Sequence, residues 1–323
     1  MPGLTLYPLP GNEERAQAIA RALADRADVQ VAECAVHRFP DGESLVRVQH
    51  PGVGRQAALV CTLNDPDPKT IPLLMAASTL RDLGAVQVGL VAPYLAYMRQ
   101  DKQFLDGQAV SARVYARLLS GYFDWLITVD PHLHRIHDLS EVYTLRCAVL
   151  HAAPRIAAWI KDHVDNPLII GPDSESAQWA ADVAARADAP VVVVEKTRMG
   201  DKDVRSTVPD LHLHPGRTPV LLDDIVSSGR TLVAVLDHLR QRHTLPPVCI
   251  AVHGLFAGDA LYAVRAAGAA KLAITDTVAT AKADGVEIID LTQDTAQGVL
   301  DMVAVNAKRA TPAETPVDTG AQP

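Results

Sequence analysis

The chain has 323 residues, room for two domains that each bury a core without disulfide staples. Its 30 Lys and Arg stand against 38 Asp and Glu, a formal charge of −8, and aromatic residues make up only 4%. Those values argue against a broadly basic nucleic-acid surface and against stacking platforms for single strands, while 48% hydrophobic and 21% charged residues argue against disorder.

Strand-like and helix-like segments alternate from the start. Residues 4–7 form a short apolar strand candidate, and Gly11-Asn12 opens a helix with Ala16, Ile19, Ala20 and Leu23 on one face. Further apolar runs occupy 57–61, 86–91 and 125–129, with helical patterns over 72–83 and 109–119 between them. The rhythm then repeats, with strand candidates at 168–170, 191–194, 220–222, 248–252 and 272–274. Near-continuous Val/Ile/Leu runs separated by helices predict an α/β protein with mostly parallel sheets covered by helices on both faces. Two such open domains in tandem fit the length, 1–147 and 148–306, with a disordered Thr/Ala/Pro-rich tail over 307–323. Cys34, Cys61, Cys147 and Cys249 lie far apart without a CxxC, as reduced thiols of a cytoplasmic protein do. Every apolar run is strand-sized and the start carries no export signal, so neither membrane nor nucleic acid is an expected partner.

In doubly wound sheets ligands bind beyond the carboxyl ends of the strands. One strand end here is unusually polar: 220–222 runs into Asp223 and Asp224, then Ile225-Val226, then Ser227, Ser228, Gly229, Arg230 and Thr231, then a helical pattern over 232–239. The free N–H groups of a helix start suit a phosphate, the hydroxyls add donors, and Gly229 permits close backbone approach. The two carboxylates suit sugar hydroxyls or a metal carried by the substrate. A lone Asp-Asp would mark only a helix cap; the whole loop favours the phosphate reading.

This segment resembles the phosphoribosyl-diphosphate loop of type I phosphoribosyltransferases and, more closely, that of the ribose-phosphate pyrophosphokinases. Further motifs of that family follow in order over roughly residues 4–277. His37-Arg38-Phe39-Pro40-Asp41-Gly42-Glu43 is similar to its RFxDGE segment, and Pro93 to Lys102 (PYLAYMRQDK) to its PYxxYxRQD stretch. Val129-Asp130-Pro131-His132 resembles VDxH, Gly171-Pro172-Asp173 the PD motif, and Lys196-Thr197-Arg198 the KxR pair. The resemblance implies transfer of the diphosphoryl group of ATP to the 1-hydroxyl of ribose 5-phosphate. It implies ATP at Phe39, Asp41, Gly42, Glu43, Arg99 and Gln100, Mg²⁺ at His132 and Asp173, and catalytic cations at Lys196 and Arg198. Ribose 5-phosphate falls to Asp223, Asp224 and residues 227–231. A neighbouring subunit would supply residues 39–43, so the working unit would be at least a dimer.

The residue chemistry agrees in part. Mg²⁺ takes oxygen ligands and binds chiefly through substrate phosphates, which suits Asp173; histidine is a softer ligand, so His132 rests on the resemblance. Lys196 and Arg198 alternate along an extended segment, a spacing that aims two cations at one phosphate cluster. Arg99 can grip phosphate or stack on adenine, and Gln100 can read a purine edge. His132-Leu133-His134 also fits the zinc-ligand pair of a metal-dependent barrel hydrolase, although such a barrel should place it near its first strand. A silent regulatory homologue would share the motifs without the reaction, and a nucleobase phosphoribosyltransferase would share the 223–231 loop alone. Ser174-Glu175 stands where the family carries glycines, and Arg230 replaces a loop glycine. The segment 103–108 is closer to archaeal-type members than to the allosteric enzymes.

Overall fold

The computed structural model describes residues 3–50, 54–172, 176–198, 204–207, 213–242, 244–278 and 285–309. The first lobe begins β1 (Leu4–Pro8), α1 (Glu13–Leu23), β2 (Val29–Val31), then a hairpin of β3 (Cys34–Arg38) and β4 (Ser44–Val48). It continues β5 (Gln56–Val60), α2 (Asp67–Asp82), β6 (Gln87–Val91), α3 (Ser111–Ser120), β7 (Trp125–Val129) and β8 (Arg146–Leu150). Its six-stranded sheet runs β2-β1-β5-β6-β7-β8, every pairing parallel. Strands β1, β5 and β7 are buried along their whole length, as both-face coverage requires of a parallel sheet.

The second lobe repeats that plan. It comprises α4 (Ala153–His163), β9 (Pro167–Gly171), α5 (Ala177–Ala187), β10 (Val191–Val193), a hairpin of β11 (Glu195–Arg198) and β12 (Val204–Thr207), and β13 (Thr218–Val226). Then follow α6 (Arg230–Gln241), β14 (Val248–Gly254), α7 (Ala260–Ala266), β15 (Lys271–Thr275), β16 (Glu287–Ile289) and α8 (Thr292–Arg309). Its sheet order is β10-β9-β13-β14-β15-β16, again all parallel. In each lobe a hairpin is inserted between the second and third sheet strands. No helix among the described residues is long and apolar enough to cross a membrane.

Helices cover both faces of both sheets. In the first lobe one core lies under α2 and α3, the other under α1 and α8. In the second, α4 and α5 cover one face and α6 and α7 the other. The C-terminal helix therefore belongs by packing to the first lobe: Ala296, Val299, Leu300, Met302 and Val303 share a core with Leu4, Leu6 and Trp125. The division expected between residues 147 and 148 falls inside β8, whose five residues all pair with β7, and α8 crosses back over it. Residues 307–309, expected in the tail, continue α8; the tail from 310 lies outside the described residues.

The helix predicted over 72–83 starts earlier, at Asp67, because Pro66, Pro68 and Pro72 mask its first turn in the sequence. Pro72 has no N–H for the carbonyl four residues back, Pro68 O. Arg38 donates to that oxygen instead at 2.7 Å, docking the first hairpin beside α2.

Candidate active site

The two lobes meet across the carboxyl ends of their strands. Tyr94 after β6, Ile225 in β13 and Val278 after β15 form a small shared apolar core there. Around it lie two cavities that have Asp223 in common.

The first cavity, about 190 Å³, is lined by residues 225–231, Asp223 and Arg99. Gly229 caps α6 with φ +69, a conformation that side chains other than glycine resist. A Cβ there would also meet Val264 Cγ2 at 3.0 Å. The first turn of α6 contains no acidic residue and no side chain caps it, so the positive end of the helix is not neutralised locally. Arg230, standing where the resembling family carries glycine, is exposed and lines this cavity. Arg99, read from sequence as a nucleotide ligand, lines it as well.

The second cavity, about 210 Å³, is bounded by Asp130, His132, His134, His151, Trp179 and the Asp223-Asp224 pair, among others. His132 Nδ1 lies 2.5 Å from Asp224 Oδ2, joining residues 92 positions apart. Asp224 Oδ1 accepts from its neighbour's amide, Ile225 N, at 2.7 Å. Burial pushes the Asp224 carboxyl up, but the hydrogen bond and charge of His132 outweigh it, and the carboxyl is held below its usual range. The Asp224 carboxylate accepts from His132 Nδ1 and fixes the orientation of the ring. Among the described residues no cluster of three or more ligating side chains forms a metal cage.

Asp130 turns the chain from β7 toward His132 with φ +29, unusual for a residue with a Cβ. Its amide donates to Leu150 O at 3.0 Å, its Oδ1 lies 2.9 Å from His151 Nδ1, and its Oδ2 accepts from Ala152 N at 2.8 Å. That hydrogen bond to Asp130, against the opposing effect of burial, holds His151 above the ordinary histidine value. Asp101 is buried and binds Arg135 through backbone and guanidinium at 3.1 and 3.0 Å, tying the segment after Arg99-Gln100 to the loop after His132.

The remaining sequence-expected residues lie elsewhere. Phe39, Asp41, Gly42 and Glu43 form the exposed tip of the first hairpin, closed by Phe39 N to Glu43 O at 2.8 Å, and line neither cavity. Gln100 turns its amide onto Lys102 O at 3.2 Å. Lys196 and Arg198 are placed by backbone alone, in β11 opposite Ser206 and Val204 of β12. Asp173 lies outside the described residues. Sequence reasoning does not single out Asp130, His151, Trp179 or Asp101; of these, Asp130 and Asp101 sit inside family-like motifs and offer a signal.

Residues 9–122 match the N-terminal domain of ribose phosphate pyrophosphokinase, and residues 145–274 match the phosphoribosyl transferase domain. A ribose-phosphate pyrophosphokinase of Methanothermobacter thermautotrophicus is 32% identical over 263 residues, 81% of this chain and 90% of the relative. The chain belongs to the ribose-phosphate pyrophosphokinase family. A family member from Saccharolobus solfataricus is 33% identical over 245 residues, covering 74% of this chain and 82% of its own. The fold matches the crystal structure of phosphoribosylpyrophosphate synthetase from Mycobacterium smegmatis with a TM-score of 0.83 at 22% identity, over 94% of this chain and 99% of that one. Family membership and the two parallel sheets agree with the tandem fold expected from sequence, and they set aside the barrel hydrolase.

Proposed function

We propose that this chain is a ribose-phosphate diphosphokinase, which converts ATP and ribose 5-phosphate to AMP and phosphoribosyl diphosphate. The observation that carries this reading is the cavity of about 190 Å³ at residues 225–231, which takes Arg99 from the opposite lobe and shares Asp223 with the His132–Asp224 cavity. A sugar phosphate seated in the first cavity presents its ring to the second. A single-domain nucleobase phosphoribosyltransferase would leave the first lobe without a task.

In the reaction the 1-hydroxyl oxygen of the sugar attacks the β-phosphorus, the bond from that phosphorus to the α-phosphate oxygen breaks, and the hydroxyl proton is released. Positioning and charge neutralisation supply most of the catalysis. Ser227, Ser228, Gly229, Arg230 and Thr231 hold the 5-phosphate by amide, hydroxyl and guanidinium donors. Asp223 and Asp224 accept from the ribose hydroxyls; an ionised carboxylate has about four lone-pair sites, so Asp224 serves the sugar while bound to His132. Arg99 and Gln100 hold the nucleotide, with Arg99 placed to bridge both substrates. Phe39, Asp41, Gly42 and Glu43 reach ATP from a neighbouring subunit of a homo-oligomer, which is supported by their lining neither of this chain's own cavities.

Mg²⁺ would be held by His132 and Asp173 together with substrate phosphates. When bound it neutralises phosphate charge and aligns the transferring group. Lys196 and Arg198 meet the charge that develops on the leaving AMP and on the equatorial oxygens. The four thiols are unpaired and burial raises all of them, Cys34 to about 11 and Cys61, Cys147 and Cys249 to about 12, which fits a cytoplasmic setting.

Purified protein incubated with ATP, Mg²⁺ and ribose 5-phosphate, followed by chromatography, tests the assignment. AMP that forms only when the sugar phosphate is present is the expected result. No AMP would favour a silent homologue, and pyrophosphate release from phosphoribosyl diphosphate with a nucleobase would favour the transferase. Sedimentation analysis tests the oligomer.

A further inference from the structure

His253 is the penultimate residue of β14, a strand otherwise made of apolar residues and glycine, and is 1% exposed. It belongs to none of the family-like motifs and lines neither cavity. Its Nδ1 lies 2.9 Å from Thr277 Oγ1, its Nε2 lies 3.2 Å from the carbonyl of Asp130, and its ring packs edge-on against Tyr94 at 5.0 Å. Two of those partners, Asp130 and Tyr94, come from the opposite lobe.

Burial lowers this histidine from its ordinary value, so the ring is neutral and carries one proton. A carbonyl only accepts, so the proton sits on Nε2 and points at Asp130, and Nδ1 accepts from the Thr277 hydroxyl. The neighbouring hydroxyls allow this. Thr277 Oγ1 also lies within donating distance of Val252 O, at 3.0 Å, but that oxygen already accepts from Thr275 Oγ1 at 2.6 Å, so the Thr277 hydroxyl can turn its proton to the ring at no loss to the carbonyl. The chain of contacts continues back into the first lobe: Thr62 Oγ1 donates to Thr277 O at 2.9 Å, and Thr62 N donates to Asn12 Oδ1 at 2.9 Å. The line therefore crosses the lobe boundary twice, and it ends on the strained residue that turns the chain toward His132.

We propose that His253 is a positioning residue, which holds the Asp130 turn from the opposite lobe so that His132 faces Asp224. A residue in an unfavourable backbone region stays there only when its surroundings over-determine it. The amide of Asp130 is bound within its own lobe by Leu150 O, and its carboxylate is bound at the junction by His151 and by Ala152, the cap of α4; its carbonyl is the group gripped by β14 of the second sheet. This brace registers the first lobe's histidine against the second lobe's carboxylate, a pairing that neither sheet can set alone. The inference rests on the diphosphokinase reading only for its kinetic consequence.

The test uses His253→Leu, which removes both ring hydrogen bonds, and His253→Gln, which keeps an amide donor for the Asp130 carbonyl. In folded protein His253→Leu should lower kcat by about 10- to 100-fold, as loss of a partner that orients a functional histidine does. KM for ribose 5-phosphate should change less than kcat, since the ring hydrogen-bonds to Thr277 and Asp130 while Ile225 of the loop meets His253 only as its strand partner, and His253→Gln should recover most of kcat. In a His132→Ala background His253→Leu should cost nothing further, because its effect acts through His132. An undiminished loss in that background, or a folded His253→Gln no better than His253→Leu, would overturn the proposal. If His253→Leu does not fold, Thr277→Val takes its place with the same double-variant comparison. Nitrogen-15 NMR of the wild-type ring reads the brace without any catalysis: a protonated Nε2 with a bare Nδ1 is expected, and the opposite tautomer or a charged ring would refute it. Failure of the wild type to make AMP would strike the diphosphokinase reading and leave the NMR result standing.

Discussion

In the first lobe β5 leads through Cys61 to Pro66 into α2; in the second, β13 leads through Ser227 to Gly229 into α6, at the same point of the same strand order. Both helix starts lie at a switch point, where crossovers leave the sheet in opposite directions. Their chemistry differs. In the first loop Pro66 and Pro68 supply no N–H, Asp67 sets a negative charge on the first turn, and the Tyr97 hydroxyl is hydrogen-bonded to Asp67. Lys69 closes the loop over itself, its ammonium donating to Thr62 O at 2.9 Å and Asn64 Oδ1 at 2.7 Å. The second loop has a left-handed glycine, hydroxyls and no acid in the first turn of its helix. Topology supplies a helix N-terminus twice, and residue identity leaves only one of the two suited to phosphate.

The inserted hairpins extend the contrast: the first carries the Phe39–Glu43 turn on its tip, the second Lys196 and Arg198 along a strand. If the second serves the transition state, Lys196→Ala should lower kcat and kcat/KM together, by about 10²–10³-fold, with the fold intact. Steady-state kinetics that leave kcat unchanged would remove Lys196 from the mechanism. Phosphate recognition by the open loop predicts that Thr231→Ala loses a hydroxyl donor to a charged acceptor, about 1.5–3 kcal/mol, expressed in the KM for ribose 5-phosphate. Equal weakening of ATP would blur the distinction between the loops.

A smaller effect concerns the brace between the lobes. Because burial holds His253 below the ordinary value of 6.5, the unfolded chain takes up a proton that the folded chain refuses. Its contribution to stability is therefore complete above about 6.5 and is lost as pH falls, by at most ~1.4 kcal/mol per pH unit. Denaturant titrations between pH 7 and 5 should show this slope, and His253→Gln should flatten it. The smallest effect belongs to the closed loop. Lys69→Met should cost about 1 kcal/mol of stability through two lost hydrogen bonds and leave the KM for ribose 5-phosphate unchanged. A rise in that KM would mean that the first loop takes part in sugar phosphate binding after all.

Much of this architecture is legible without coordinates. The buried strands appear as continuous Val/Ile/Leu runs because a parallel sheet has no wet face, and the 223–231 loop declares itself because its chemistry is contiguous in the chain. The start of α2 is hidden by three prolines, two at its first turn and Pro72 inside it, where Arg38 takes up the carbonyl that Pro72 leaves free. The returning helix α8 is hidden for a different reason: its apolar stripe identifies a buried face but carries no label for the sheet it covers.

What the sequence by itself determined, then, was local: which segments are strands, which loops offer carboxylates, hydroxyls or a glycine that accepts positive φ, and in what order they come. Tertiary structure alone decided that Asp224 meets His132, that Arg99 reaches the phosphate loop, and that His253 grips Asp130 from 123 residues away. These contacts join separate strand ends, so each depends on how two independently formed sheets are set against each other. Hydrogen bonds act over about 3 Å, and no periodicity or spacing along a chain encodes a distance between lobes.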